Sequence, residues 1–165
     1  MNILPILLAA VTAPATSAVD KVSDFNCPTS HKTAFVNVRE VYAAYGSRSV
    51  TIVKLGLAGD RDILSLMVAP EAKFSVFAGD VGRGPRSKGA VAAIEFAQQV
   101  APRNYQFSAG SAGFVSMDPC GIVAIDVTFR TDEQGGAIVA NFRYQNGMLI
   151  DVVGSDIKLF DGDLP

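Results

Sequence analysis

Apolar residues recur along this chain in two rhythms, and the change between them falls near residue 104. Before it the spacing is helical. Phe35, Val38, Tyr42 and Tyr45 follow one another at steps of three, four and three, which leaves Arg39 and Glu40 facing water. The expected helix runs from Ala34 through Leu57. Gly46-Ser47-Arg48-Ser49 is a point where it breaks or kinks, and the β-branched run from Val50 to Val53 also reads as a strand. Gly59 ends this helix, Asp60 caps a second one over Arg61 to Val68, and Pro70 closes it. Lys73 to Phe77 alternates as a short strand. A loop with Gly79, Gly82, Gly84 and Pro85 follows. Ser87 is then the N-cap of a third helix, whose apolar face is Ala90, Ala93, Ile94, Ala97 and Val100.

From Asn104 the period is two, with strands expected over 104–117, 122–130, 137–145 and 148–160. Asp118-Pro119-Cys120-Gly121, Thr131 to Gly136, and Asn146-Gly147 are the turns between them. The last is a type I′ hairpin signal, because both central residues need positive φ. Val123, Ile125, Val127 and Phe129 share one face of their strand, and Ile138, Ala140, Phe142 and Tyr144 share one face of the next. Those faces meet the helices. Asp126, Thr128 and Arg130, with Asn141 and Arg143, face solvent or a partner. The expected fold class is α+β, three N-terminal helices packed on a curved antiparallel sheet. If Asn146-Gly147 is a plain two-residue turn, Asp151 lies opposite Phe142 on the inner face. Burial there would disfavour its charged form, as a general base requires. A one-residue bulge in the hairpin would instead turn Asp151 to solvent.

The ends of the chain change the picture. Residues 1–18, MNILPILLAAVTAPATSA, hold no charged side chain, and Ile3 to Val11 is an apolar run of signal-peptide length, too short to span a bilayer. Thr16-Ser17-Ala18 offers a cleavage site before Val19, and Ala13-Pro14-Ala15 offers a second. No Lys or Arg stands near Met1, which departs from the usual pattern. The expected organisation is a signal peptide over 1–18, a polar leader over 19–33 and one domain over 34–162. The expected location is periplasmic or secreted, with no membrane attachment after signal removal. Export would permit a disulfide between the two cysteines, Cys27 and Cys120, and the sequence leaves equally open that they are unpaired thiols. A formal net charge of −2 leaves no basic surplus for phosphates, so nucleic acid is not an expected partner.

Three stretches, AGDRDILSLMVAPEAKF (58–74), GAVAAIEF (89–96) and FRYQNGMLIDVV (142–153), resemble in order the opening helices and strand, the third helix and the final hairpin of the nuclear transport factor 2-like superfamily, including its SnoaL-like proteins. The resemblance covers roughly residues 35–160. It implies a cystatin-like cone, a curved sheet wrapped around helices, with a pocket in its mouth and frequent homodimers. Ketosteroid isomerase, on the same fold, uses a first-helix Tyr, a strand Asp as base and a second Asp as oxyanion donor. Aligning on Gly59, Ala72 and Arg143 places Ile52, Val76 and Ala140 at those positions, so that chemistry lacks its parts here.

The chemistry left to weigh is sparse. His31 is the only histidine, which removes the usual parts of a triad or a multi-histidine metal site. Its expected duty is at the surface or as a helix cap. The cations of Gly79 to Lys88 precede a helix N-terminus, but their spacing fails the phosphate-loop pattern. Asp126 and Arg143 would lie diagonally adjacent as an exposed pair or an interface contact. The expected pocket is lined by Tyr42, Ile52, Val76, Ala140, Phe142, Tyr144 and Asp151, with Asp151, Tyr42 and Tyr45 as the acid/base candidates and no cofactor or metal. Three readings compete. The first is an exported homodimeric domain binding a small hydrophobic molecule. The second is an isomerase, dehydratase or cyclase acting on such a molecule. The third is a structural interaction module that uses its outer sheet face. Mass spectrometry of protein recovered from the cell envelope or medium should show a chain beginning near Val19 or Thr16.

Overall fold

The computed structural model describes residues 20–25, 27, 37–78, 81–100, 105–110, 118–131 and 136–158. The signal segment, the cleavage sites, His31, Phe35 and the helix start expected at Ala34 lie outside them. A single 3-10 turn, Ser23–Phe25, precedes three helices, α1 (Val38–Ala58), α2 (Arg61–Met67) and α3 (Gly89–Val100). The described residues also form six strands: β1 (Val68–Ala78), β2 (Val81–Arg83), β3 (Tyr105–Gly110), β4 (Val123–Thr131), β5 (Gly136–Gln145) and β6 (Met148–Lys158).

Asn37 caps α1, its side-chain oxygen accepting from the Arg39 N–H at 3.0 Å. The helix continues without a break through Gly46 to Ser49 and through Val50 to Val53. At Gly56 it crosses α3 so closely that an added Cβ would stand 2.6 Å from Ala97 Cβ. Gly59 closes α1 in the left-handed conformation, and Asp60 caps α2 by accepting from the Ile63 N–H at 3.1 Å. Both events match the sequence expectation.

Pro70 does not end α2. The helix stops at Met67, Val68 is already extended, and Pro70 lies within β1. Pairing of β1 with β6 is irregular between Val68 and Lys73, the stretch that contains this ring without an N–H. The expected glycine-rich loop also contains a strand, since Val81 to Arg83 pairs with Ala78 to Val76 as β2. Ser87 does not serve as the expected cap; its hydroxyl donates to the Glu95 carboxylate at 2.6 Å. The buried face of α3 comprises Ala92, Ala93, Phe96, Ala97 and Val100, with Ala90 and Ile94 packed at its margin.

The sheet order is β2-β1-β6-β5-β4-β3. It is mixed rather than wholly antiparallel, because β1 pairs with β6 in parallel. That pairing is available because α3 and four strands intervene, far more chain than a parallel crossover needs. The class remains α+β. α1 packs on α3 and β4, and α3 packs on β1, so the helices cover the inner face of the curved sheet. Inner residues form rows across the strands. Ile125, Phe142, Val152 and Phe74 make one row, and Val127, Ala140, Gly154 and Val76 make the next. All of them are buried. The outer residues Asp126, Thr128 and Asn141 are half-buried, and Arg130 and Arg143 are exposed. Phe142→Ala should cost about 3–5 kcal/mol, as aromatic truncations in packed cores do. Thr128→Ala should cost under about 1 kcal/mol. Denaturant melts of the two variants check this order.

Candidate binding site

The expected interior pocket is filled by its own lining. Ile52 is 1%, Val76 9% and Ala140, Phe142 and Tyr144 0% exposed. Aromatic rings occupy the space between helices and sheet. Phe96 lies 5.4 Å from Phe74 and 6.1 Å from Phe142 between ring centroids, and Phe129 lies 6.5 Å from Phe142. Tyr42 is half-buried at the edge of this cluster.

Asp151 is not on the inner face. In the hairpin Tyr144 opposes Leu149, but Arg143 opposes Asp151, so Ile150 is an extra residue and every later position of β6 is rotated. Phe142 therefore faces Val152, where the plain turn would have placed Asp151. The physical reason is the cost of the alternative. The unbulged register would bury an unpaired carboxylate among aromatic rings, at several kcal/mol. Asp151 instead stands on the outer face, 31% exposed, 4.0 Å from the Arg143 guanidinium. Asp126 accepts from the Asn141 amide at 2.7 Å, so the two outer pairs are Asp126–Asn141 and Arg143–Asp151 rather than Asp126–Arg143. The same bulge brings a carboxylate inward that the alternation did not point to. Asp156 opposes Ile138 on the inner side and is exposed at the end of the rows. The one signal for it was the pair Leu149-Ile150, two adjacent apolar residues that break strict alternation.

At the other end of the rows the tyrosines are bound into a polar network. Tyr45, on α1, donates its hydroxyl to the Pro119 carbonyl, and its ring lies 4.7 Å from that of Tyr144. Ser49 donates to the Tyr45 carbonyl at 2.9 Å, so the 2.7 Å contact between Ser49 Oγ and Tyr144 is donated by the tyrosine. Burial pushes the Tyr45 hydroxyl up to about 12. Burial also raises Tyr144, and the Ser49 hydrogen bond opposes that rise only in part. Neither hydroxyl is held ready as an acid or base near neutral pH.

Beside this network sits a buried arginine that the sequence reading passed over. Arg48 is 8% exposed. One terminal nitrogen donates to the Gly147 carbonyl in the β5–β6 turn, and the other donates to the Asp20 carboxylate at 2.6 Å. Its Nε–H has no acceptor among the described residues. Asp20 also accepts from the Val22 N–H, which fixes the turn at Ser23–Phe25 against α1. Cys27 is joined to Cys120 by a disulfide, with Cα atoms 5.4 Å apart across a separation of 93 residues. Loop closure on that scale is worth up to about 4–5 kcal/mol in the chain-entropy model. The leader is thus clamped twice onto the domain. Between its turn and α1 lies a cleft of about 650 Å³. Among the described residues no group of three or more His, Cys, Asp or Glu is placed to hold a metal, and no helix is long and apolar enough to cross a membrane.

Neither a family model nor a curated protein matches the chain. Several solved structures do. An NTF-2 like protein of unknown function from Silicibacter pomeroyi DSS-3 is 14% identical, with a TM-score of 0.52 over 74% of this chain and 100% of its own. A cystatin-like fold protein from Burkholderia xenovorans LB400 is 10% identical, with a TM-score of 0.48 over 75% and 97%. A steroid delta-isomerase from Pseudomonas aeruginosa is 16% identical, with a TM-score of 0.44 over 67% and 77%. The first likeness shows the fold, a nuclear transport factor 2-like α+β cone.

The tyrosine pair sets a pH dependence. Both folded hydroxyls titrate above the unfolded value of about 10. The unfolded chain therefore loses these protons first. The stability they contribute is whole below about pH 10 and is lost as pH rises through the folded values. Circular dichroism in an alkaline titration should show stability falling above about pH 10, and Tyr144→Phe should blunt the fall.

Proposed function

We propose that this chain is an exported, non-catalytic domain that works through the outer face of its sheet, and that its partner there is a second copy of itself. The observation that carries the reading is the filled interior. A small-molecule site needs roughly 300–1,000 Å³ of concave space, and the positions that would line it are packed against aromatic rings. The hydroxyls nearest to it are committed to structural hydrogen bonds, and Asp151 is on the far side of the sheet.

The outer face has the properties of a self-complementary contact. Phe77 is 40% and Val153 38% exposed, on neighbouring strands where Phe77 opposes Ser155 and Ser75 opposes Val153. Around them lie both signs of charge, with Lys73 and Arg143 against Asp126 and Asp151. A two-fold interface requires one patch to complement itself, which a face of mixed sign and a central apolar pair satisfies. Export is supported by the uncharged apolar start of the chain and by the Cys27–Cys120 disulfide, a bond that persists in oxidising compartments.

One observation favours a second reading. Asp156 stands exposed beside Ile138 at the end of the inner rows. A small hydrophobic molecule held at this rim would return the domain to ligand binding or to acid/base chemistry. Sedimentation equilibrium separates the two. The protein should be a dimer at micromolar concentration, and Val153→Lys with Arg143→Glu should yield a monomer of unchanged circular dichroism. A wild-type monomer at that concentration would leave the second reading in front.

A further inference from the structure

The cleft between the Ser23–Phe25 turn and α1 belongs neither to the core interior nor to the outer sheet face. Its volume of about 650 Å³ falls in the range of small-molecule sites. Ala43 and Ala44 supply an apolar wall on α1. The Phe25 ring supplies the other, held by stacking on Tyr45 at 6.1 Å.

The charges around this cavity are not equivalent. Arg48 lines it, but the Asp20 carboxylate at 2.6 Å balances its charge. What Arg48 still lacks is an acceptor, since its buried Nε–H has none among the described residues. That nitrogen is closed off from the cleft as well, so it is a buried part of the wall and is not offered to a ligand. Asp24 reaches the cleft from the turn and Glu40 from the first turn of α1, one from each wall, with Lys21 beside them. Among the described residues none of these three forms an ion pair. Among the described residues, two carboxylates outside any ion pair against one ammonium make the rim anionic, and the face of Phe25 adds attraction for a cation.

We propose that this cleft binds a small organic cation, an ammonium group on an apolar body. The ammonium lies between Asp24 and Glu40, and the body lies against Phe25 and Ala44. The site stands apart from the outer sheet face, so the dimer and this ligand are tested separately.

The test uses three fluorescent probes with one apolar dansyl body. Dansylcadaverine is cationic, its N-acetyl derivative is neutral, and dansyl-6-aminohexanoate is anionic. Titrated into the purified protein at low salt, the cation should bind saturably and about tenfold more tightly than the anion, the return expected from two partly exposed ion pairs. The neutral probe should fall between them, and added salt should narrow the spread. Ser47→Phe, at an exposed position on the cleft wall, should abolish saturable binding. Asp24→Asn with Glu40→Gln, both exposed, should erase the preference for the cation over the neutral probe without touching the core. Equal binding of all three probes, tighter binding of the anion, or no saturable binding at all would overturn the proposal. So would a cation preference that survives the double substitution.

Discussion

The β5–β6 hairpin carries one more residue on its second strand than on its first, and that residue, Ile150, sets the facing of everything after it. With the bulge in place, Val152 enters the core between Phe142 on β5 and Phe74 on β1, and the parallel pairing of β1 with β6 follows in register. Without it, Asp151, Val153 and Ser155 would take the inner positions. The chain would then place the Asp151 carboxylate where it now buries Val152, and Val153 where it now buries Gly154. The bulge is a local irregularity enforced by a global cost, because the inner position opposite Phe142 is lined by the rings of Phe74, Phe96 and Phe142. Its consequence reaches both faces, closing the interior against a polar group and furnishing the outer surface with the Arg143–Asp151 pair.

A second constraint operates at the closed end of the rows. Arg48 ties three segments distant in sequence to one guanidinium: Asp20 in the leader, α1 itself, and the Gly147 carbonyl of the hairpin. Burying such a group is costly unless its hydrogen bonds are met, and here two of its three nitrogens are. The disulfide from Cys27 to the turn after Asp118 fastens the same leader a second time. These two attachments turn a polar segment with little core of its own into one wall of a cleft. The tyrosine pair beneath them is structural, since both hydroxyls are saturated by a carbonyl or a serine.

Ile52, Val76 and Ala140, the positions that the family resemblance sets against an isomerase's Tyr and two Asp residues, are apolar and buried. The space between helices and sheet is occupied by Phe96, Phe142 and Phe129, so the polar and open features among the described residues lie elsewhere. They are the outer sheet face, the rim at Asp156, and the cleft under the leader.

What the sequence by itself determined was local. Gly59 and Asp60 mark the end of α1 and the cap of α2, because a left-handed residue and a carboxylate accepting a free N–H act within a few residues. Alternation in β4 and β5 assigns Val123 to Phe129 and Ile138 to Tyr144 to the inner face, since the pleat has a period of two. Asn146-Gly147 fixes the turn, with φ of 51° and 77°. The tertiary structure decided the rest. The parallel pairing of β1 with β6, the strand Val81–Arg83, the pairing of Cys27 with Cys120, the burial of Arg48 and the outward turn of Asp151 all depend on groups far apart in sequence. Local rules leave the register open by one residue. The cost of burying a charge, which exists only once the helices cover the sheet, closes it.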